Sequence, residues 1–414
     1  MDTINEILQA LRHNKLRTAL TGFAVAWGIF MLIVLLGAGN GLTNAFKNAM
    51  SLTNVNTVKI YPGTTTKPYG GYKENRSINL RKNDATMLEQ RHKSQTKEVS
   101  PSVSNDTVTL NSESDYLSCP MSGVHPDYIE AEPITITSGR FINAKDIKEK
   151  RKVMVISQHC VDILFKHNGN PVGERLKAAN MSYVIVGVCL NHLDKEGSMA
   201  YIPFTTMETA FSNKDKLNAI TMLTSGISDT TTSAKFEKNV RHDLGKKHSF
   251  DPTDNSAVWV ENSFTQQAQA QQGMGYMTIA IWVIGLLTLL SGIVGVSNIM
   301  FVSVKERTHE IGVRRAIGAK PRSILTMIVT ESVAITALFG YIGMIAGVML
   351  TELAKSILDK MNAGEDMTVF SNPTVGLDIA IEVTVVLIIA GAAAGFFPAV
   401  KATKISPVEA LRDE

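Results

Sequence analysis

The sequence predicts an α-helical membrane protein with four transmembrane helices and a large external domain of mixed α/β structure between helices 1 and 2. Three observations predict this fold class. Charged residues make up 19% of the 414-residue chain but are absent from four long apolar runs. Lys and Arg concentrate beside alternate ends of these runs. A segment of over 200 residues between the first two runs has the mixed polar and apolar pattern of a globular domain.

Each apolar run is long enough to cross a bilayer, which takes about 20 residues of helix. The runs without charge are residues 19–46, 262–304, 332–351 and 383–400. A cleavable signal peptide is an alternative for the first run, which follows three basic residues. Its apolar core exceeds the usual length of about 7 to 15 residues, and no small-x-small cleavage site follows a short core. We therefore expect spans at 18–41, 263–304, 321–352 and 378–400, with stalks extending the first to about 52 and included in the second.

The distribution of basic residues predicts the orientation of the spans. Residues 1–17 carry three Lys or Arg, residues 305–322 carry six, and the tail 401–414 carries three. Residues 352–382, which contain the predicted external link 353–377, carry two against six acidic residues. Positive charge favours the cytoplasmic side, so both termini and the 305–322 loop are predicted to be cytoplasmic.

The external domain is predicted to occupy residues 53–262. Strands are indicated by "VNTVKIYPG", "KVMVIS", "YVIVGV", "MAYIPFTTM" and "LNAITMLTS". Helical spacing occurs in "CVDILFKH" and "AKFEKNVRHDLGKKH". This mixture predicts a domain of both secondary-structure types, large enough for its own core.

Both helices that flank this domain are predicted to extend beyond the bilayer as stalks. Helical spacing continues past the first span through Leu42, Phe46 and Ala49. A helix from Phe264 to Val304 would be roughly 60 Å long, twice the thickness of the hydrocarbon layer. The alternative is a polar linker interrupted at Gly273 and Gly275, followed by an ordinary span.

Metal binding and covalent chemistry find little support in the sequence. The chain has three cysteines, Cys119, Cys160 and Cys189, so at most one disulfide can form within it. The alternative is that the cysteines are buried free thiols. His159 and His192 lie near two of them at no recognised metal-ligand spacing. There is no phosphate-binding loop and no nucleophile elbow, and "HEIGV" lacks the second His of a zinc protease helix. We expect no catalytic residues, no cofactor or metal in this chain, and no nucleic-acid partner.

The stretch "KERTHEIGVRRAIGAKPRSIL", between the second and third spans, concentrates charge at helical spacing. Glu306 and Glu310 share a helix face, as do Glu310 and Arg314, but such i,i+4 relations change stability by only about 0.2 to 0.5 kcal/mol. Gly318 and Pro321 suit the end of one helix and the start of the next. Spacing alone favours a basic juxtamembrane loop that attracts anionic lipid.

Polar and small residues inside the third and fourth spans are further candidates. Glu331 lies roughly two turns into the third span, where Arg314 or Arg315 is a plausible partner; an interfacial position is the alternative. Two G-x-x-x-G pairs would allow close helix packing, although such matches are frequent by chance. The four glycines are Gly343, Gly347, Gly391 and Gly395.

The stretch "KERTHEIGVRRAIGAKPRSILTMIVTESVAITALFGYIGMIAGV" resembles the signature of FtsX-like, MacB-type ABC transporter permeases. The segment "NEILQALRHNKLRTALTGFAVAWGI" resembles the N-terminal amphipathic helix of such permeases and the start of their first span, which implies an amphipathic helix at residues 1–17. The segment "FPAVKATKISPVEALRDE" resembles the end of such permeases. The segment "TSGRFINAKDIKEKRKVMVISQHCVDILF" resembles the MacB-like periplasmic core domain. The resemblance covers nearly the whole chain and is weaker between about 64 and 118.

The resemblance implies a permease without its own ATPase, in the bacterial inner membrane, that acts as a homodimer or beside a similar permease. A separate ABC ATPase, carrying ATP and Mg²⁺, would drive motion of the periplasmic domain for export or extrusion of a substrate. A periplasmic adaptor, an outer-membrane channel and membrane lipid are further partners it implies. The alternatives are a scaffold that activates a cell-wall hydrolase and a lipoprotein-releasing permease.

In such permeases a coupling helix follows the second span. The resemblance therefore implies that the charged stretch is a helix on which the ATPase docks. We predict this helix at 305–320, with Ile311 as its apolar anchor. Its assigned residues are Lys305, Glu306, Arg307, Glu310, Ile311, Arg314, Arg315 and Gly318.

Overall fold

The computed structural model describes residues 15–51, 54–113, 115–132, 134–166, 170–191, 197–211, 215–361, 373 and 376–404. The chain divides into two compact units: an α/β unit of residues 47–272 and a helical unit of residues 1–46 and 273–414. The predicted amphipathic helix 1–17, link 353–377 and tail 401–414 each lie partly outside the described residues.

The α/β unit is built on a mixed sheet. Its described strands are β1 Thr57–Pro62, β2 Leu80–Arg81, β3 Thr96–Asn111, β4 Tyr116–Val124, β5 Ile134–Gly139, β6 Val153–Ser157, β7 Arg175–Ala178, β8 Met181–Asn191, β9 Ala200–Pro203, β10 Lys216–Leu217, β11 Ala219–Thr224 and β12 Val258–Asn262. Ten of these form one sheet in the order β12-β1-β11-β3-β4-β9-β6-β8-β5, with β7 beside β3 and β8. The pairs β4/β9 and β6/β8 are parallel, and the remaining pairs are antiparallel.

Helices cover this sheet. They are α2 Lys82–Arg91, α3 Tyr128–Ala131, α4 Ala144–Lys148, α5 Gln158–Leu164, α6 Phe204–Phe211 and α7 Thr230–His248, where α1 is the first helix of the helical unit, Lys15–Ser51. The long helix α7 turns Phe236, Val240 and Leu244 inward at four-residue spacing, and all three are fully buried. The predicted mixed α/β domain is therefore confirmed.

One predicted strand is shorter in the structure. In "MAYIPFTTM" the strand ends at Pro203, and α6 begins at Phe204. Proline has no N–H to donate to a neighbouring strand, which favours the end of the ladder at this point.

The helical unit contains the most apolar helices. Besides α1, its described helices are α8 Ser263–Glu306, α9 Thr308–Ala316, α10 Pro321–Met361 and α11 Leu377–Thr403. Among the described residues, four of these helices are long and apolar enough to cross a membrane: α1, α8, α10 and α11. Their outer faces expose large apolar side chains such as Val283, Leu338 and Ile389, as expected of surfaces in lipid.

Two helix bounds bear on the sequence expectations. Helix α8 is continuous over 44 residues through Gly273 and Gly275, so these glycines do not interrupt it. Helix α10 continues to Met361, nine residues beyond the predicted end of the third span. Residues 353–361 include Leu, Ala and Lys, which favour helix, and contain no Gly or Pro that would stop it.

Candidate functional site

The segment between α8 and α10, residues 305–320, is called the coupling segment here. Helix α8 ends at Glu306, and Arg307 has a non-helical conformation with φ −101° and ψ 19° before α9 begins. At the other end of α9, the N–H of Gly318 donates to the carbonyl of Arg315 at 3.1 Å, and the N–H of Ala319 donates to that of Arg314 at 3.0 Å. This is a Schellman helix ending, and α10 follows at Pro321.

Gly318 has a conformational role in this ending. Its φ of +101° is a left-handed conformation that residues with a side chain rarely adopt, and no atom lies within 4 Å of the place where a Cβ would stand. Gly318 thus lies at a helix end, where the sequence analysis expected one. It lets the chain turn sharply between α9 and α10.

The structure corrects the predicted role of Ile311. Its side chain is 3% exposed and belongs to the apolar core of the helical unit, together with Val304 and Ile328. A residue buried inside its own chain cannot be the anchor on a partner. The sequence pattern did not reveal this, because a helical period shows which residues share a face but not which face the chain itself covers.

Ile317 is the exposed apolar residue of the coupling segment. Its side chain is 82% exposed, and it directly follows Ala316, the last residue of α9. The exposed residues that surround it in sequence are charged, polar or small. They are Lys305, Glu306, His309, Glu310, Arg314, Ala316, Gly318 and Lys320. We call these residues and Ile317 the coupling surface.

An ion pair and a hydrogen bond, both made by arginines, join the coupling segment to the neighbouring helices. Arg307 Nη1 lies 3.4 Å from Glu331 Oε1 on α10. Arg315 Nη1 donates to the carbonyl oxygen of Thr403, at the last residue of α11, at 2.9 Å. A cation at a helix C-terminus also interacts favourably with the helix dipole. Arg307 is thus a partner of Glu331 that the sequence analysis, which named Arg314 or Arg315, did not identify.

Arg314 and the end of α11 add further links. Arg314 Nη1 donates to the sulfur of Met327 on α10. The ammonium of Lys401 on α11 lies 5.3 Å from the ring centre of Phe301 on α8, within cation–π range. The coupling segment is therefore joined to three long helices: it continues from α8, and its arginines contact α10 and α11.

The glycines of the two G-x-x-x-G pairs lie where helices approach closely. A Cβ at Gly343 would overlap the carbonyl oxygen of Ala26 on α1, and one at Gly347 would lie 2.7 Å from Ile33 Cγ2. Gly391 and Gly395 of α11 face α10, where Ser332 Oγ donates to the carbonyl of Gly391 at 2.8 Å.

Other glycines at helix contacts, among them three on α8 and α10, were not singled out by the sequence analysis. Gly285 and Gly292 on α8 face Leu32 and Val25 of α1. Gly340 on α10 faces Leu387 of α11. The first two are seven residues apart, two helical turns, and this spacing is the signal that could have revealed them.

Among the described residues, no group of three His, Cys, Asp or Glu side chains is arranged to hold a metal ion. His192, one of the two histidines considered from sequence, lies outside the described residues. The coupling surface combines charged side chains with one large exposed apolar side chain, that of Ile317.

Two family models match the chain. Residues 18–241 match the MacB-like periplasmic core domain, and residues 282–407 match the FtsX-like permease C-terminal domain. The first match alone covers more than half of the chain.

Two curated relatives carry the name macrolide export ATP-binding/permease protein MacB. The protein of Mannheimia succiniciproducens is 28% identical over 417 residues, which is 100% of this chain and 61% of the relative. The protein of Neisseria gonorrhoeae is 28% identical over 411 residues, which is 98% of this chain and 60% of the relative. The chain thus spans about three fifths of the length of these relatives.

Two solved structures are also similar. The periplasmic region of MacB from Actinobacillus actinomycetemcomitans is 19% identical with a TM-score of 0.43, covering 54% of this chain and 95% of that one. The extracellular domain of the transporter YknZ from Gram-positive bacteria is 17% identical with a TM-score of 0.41, covering 50% of this chain and 100% of that one.

Proposed function

Because the chain belongs to the family of the MacB-like periplasmic core domain and also carries an FtsX-like permease domain, we propose that it works as the permease subunit of an ABC transporter. In this proposal a separate ATPase binds ATP and Mg²⁺ and docks on the coupling surface. Its motion is transmitted through the membrane helices to the α/β unit, which lies in the periplasm. Two permease chains, identical or similar, would act together in the bacterial inner membrane, with their termini in the cytoplasm.

The attachment of the coupling segment within the chain is the observation that carries this proposal. Ile311 is buried in the helical unit, Arg307 pairs with Glu331 of α10, and Arg315 bonds to the end of α11. A helix that lay loosely on lipid would leave its apolar face free for the membrane. Here that face is used by the chain itself, so a force on the exposed side would move the ends of the long helices together.

Export is the transport activity that we propose, with a periplasmic adaptor and an outer-membrane channel as further partners. It rests on the name of the relatives, which export macrolides. The identity of 28% with the relatives supports the transporter class. The substrate of this chain has to be identified by transport measurements.

Docking is tested with Ile317→Asp. Exposed apolar residues that become buried at the centre of an interface dominate its energy, and losing one typically costs about 2 kcal/mol or more, which is about 30-fold in affinity. The full chain is purified from its native membrane, and the ATPase activity that co-purifies is measured. We expect this activity to fall by at least about tenfold for Ile317→Asp.

Lys305→Glu is the matched control, since it changes the charge on the same exposed surface but removes no apolar contact. We expect it to retain most of the co-purifying activity. Normal ATPase recovery with Ile317→Asp, combined with weaker membrane attachment after loss of several basic residues, would show that the segment binds lipid instead.

A further inference from the structure

Two cavities of the α/β unit have no part in the proposed function. The first has a volume of about 630 Å³, and its lining includes Tyr61, Asn79 and Lys216. The second has a volume of about 680 Å³, and its lining includes Thr109 and Lys177. Ligand sites usually have volumes of about 300–1,000 Å³, so each cavity is large enough for a small organic ligand.

The two cavities adjoin and form one elongated groove, which we call the β3 groove. Phe211, the last residue of α6, lines both cavities. Strand β3 also borders both, with residues 104–106 in the first cavity and residues 107–109 and Asn111 in the second. Residues 104–111 span roughly 23 Å at about 3.3 Å per residue. The groove therefore suits an extended chain better than a compact molecule.

Two asparagine amides of the β3 groove are held in place by the backbone of β3. The N–H of Ser104 donates to Asn218 Oδ1 at 3.0 Å, and the N–H of Thr107 donates to Asn105 Oδ1 at 3.3 Å. In each amide the oxygen is thus engaged, and the NH₂ group is left to donate to a ligand. Because both donors are oriented before a ligand binds, less conformational entropy is lost on binding.

The β3 groove carries charges of both signs and several amides. Asp106 and Lys216 line the first cavity, and Lys177 lines the second. A strongly charged ligand of either sign would meet a like charge there, so an uncharged ligand fits best. The asparagines that line the groove are Asn79, Asn105, Asn111, Asn180 and Asn218. Their amides both donate and accept hydrogen bonds, which suits ligand hydroxyl groups, since these also do both.

Aromatic rings lie in or beside the same groove. Tyr61 lines the first cavity, and Phe211 lies where the two cavities meet. Trp259 on β12 is the cross-strand partner of Tyr61 on β1 and is 63% exposed, so the two side chains lie on one face of the sheet. A sugar ring has an apolar face of C–H groups that packs on aromatic rings, and it has hydroxyl groups at its edge. The rings and amides of the groove thus match the two kinds of surface that a sugar presents.

We propose that the β3 groove binds an uncharged saccharide chain. The sugar rings pack on Tyr61 and Phe211, and the NH₂ groups of Asn105 and Asn218 donate to hydroxyl oxygens. The interaction is non-covalent, and every residue named here lies in the α/β unit. Binding by the purified chain therefore needs neither an ATPase nor a given orientation of the membrane helices.

An extended peptide is the competing ligand for a groove of this shape. Peptides commonly bind beside a strand by adding a further strand through main-chain hydrogen bonds. In the β3 groove the N–H groups of Ser104 and Thr107 are already bonded to asparagine side chains. A peptide strand would have to break these bonds, whereas a saccharide uses the NH₂ groups that they leave available.

Titration of the full chain with saccharides, followed by saturation-transfer NMR, tests the proposal. The chain is purified in a detergent without a sugar headgroup, and the probes are two uncharged tetrasaccharides, maltotetraose and chitotetraose. We expect at least one of them to bind, and to bind more tightly than its disaccharide, because only the longer chain reaches both cavities. Binding of neither tetrasaccharide would overturn the proposal.

Variants of the groove show whether the bound saccharide lies there. Asn218→Ala removes one oriented donor and should weaken binding about three- to tenfold, the usual effect of one net hydrogen bond. Phe211→Leu keeps an apolar side chain but removes the ring, and it should weaken binding by a similar factor. The matched control is Asn255→Ala, at an exposed asparagine that lines neither cavity, and it should bind as wild type does.

Two further measurements complete the test. The thermal midpoint of each variant should equal that of the wild type, which separates lost binding from lost folding. Wild-type affinity in both Asn218→Ala and Phe211→Leu would place the saccharide elsewhere and refute the assignment. A pool of unstructured decapeptides is titrated in parallel. Peptide binding that Asn218→Ala weakens, without saccharide binding, would show a peptide site instead. Failure in any of these measurements leaves the docking of the ATPase untouched.

Discussion

At the scale of single residues, Asp84 is a carboxylate of the α/β unit with three polar or charged partners. Its side chain is fully buried, with Lys247 Nζ at 2.7 Å and His248 Nε2 at 3.0 Å, and it accepts the backbone N–H of Arg81 at 2.7 Å. Burial alone would raise its pKa, but the hydrogen bonds from His248, Lys247 and Arg81 together lower the pKa below the ordinary value. Asp84 thus ties helix α2 to the end of α7.

This lowered pKa predicts an acid-sensitive contact. A carboxylate whose pKa is lower in the folded than in the unfolded state stabilises the fold above the unfolded pKa, near 4, and loses this contribution as pH falls through the folded value. Asp84→Asn should destabilise the unit by about 1–3 kcal/mol at neutral pH, the cost of an unsatisfied buried group. Hydrogen exchange of peptides from α2 and α7 should rise at pH 7, and the difference from wild type should shrink below pH 4.

Asp106→Asn is the control, because it makes the same change at an exposed carboxylate. It should leave exchange in α2 and α7 unchanged at every pH. An Asp84→Asn variant with wild-type protection at pH 7 would mean that the three contacts do not stabilise the α2–α7 junction.

At the scale of elements, some glycines of the long helices lie at tight helix contacts, whereas others face open space. A substitution by Ala should therefore have opposite effects on stability at the two kinds of position. Gly343 of α10 lies against the backbone of Ala26 of α1, where a Cβ would overlap the carbonyl oxygen. Gly275 of α8 has no atom within 4 Å of the position of a Cβ. Gly343→Ala should therefore force α1 and α10 apart, whereas Gly275→Ala should favour helix by about 1 kcal/mol.

The measurement is the thermal midpoint of the full chain in detergent. Gly343→Ala should lower it and Gly275→Ala should leave it equal or raise it, although the two substitutions are chemically identical. A lower midpoint for both variants would indicate that α8 needs a flexible point at Gly275. An unchanged midpoint for Gly343→Ala would contradict the tight α1–α10 contact.

The same elements show what a sequence can and cannot predict. Long apolar runs identify spans directly, because a bilayer sets a minimum length, and the short continuous apolar run in "KVMVIS" identifies a strand that is buried on both faces. The orientation of α9 about its own axis depends on which neighbours cover it. Ile311 lies within α9 and Ile317 directly follows its last residue, yet one is 3% and the other 82% exposed. That difference arises because Ile311 belongs to an apolar cluster that includes residues of other helices, such as Ile328.

At the scale of the whole molecule, the predicted topology depends on the distribution of basic residues. Residues 305–322 carry six Lys or Arg, and this density beside membrane helices is characteristic of cytoplasmic loops. The contacts of Arg307 and Arg315 inside the chain do not weaken this argument, since the positive-inside preference acts while the helices insert, before such contacts form. The link after α10 carries few basic residues and should lie on the opposite side.

Two matched substitutions test this topology. Ser323, near the start of α10, and Ser356, near its end, are both exposed and lie 33 residues apart on one helix, about 50 Å at 1.5 Å per residue. That distance exceeds the hydrocarbon thickness of about 30 Å, so the two positions should lie on opposite sides of the membrane.

Each is changed to Cys in a background that lacks the three native cysteines, and intact cells are treated with an impermeant maleimide. We expect reaction at residue 356 alone, and reaction at residue 323 only after the membrane is permeabilised. Reaction at 323 alone would invert the orientation and place the coupling surface, with Ile317, beyond the reach of any cytoplasmic ATPase.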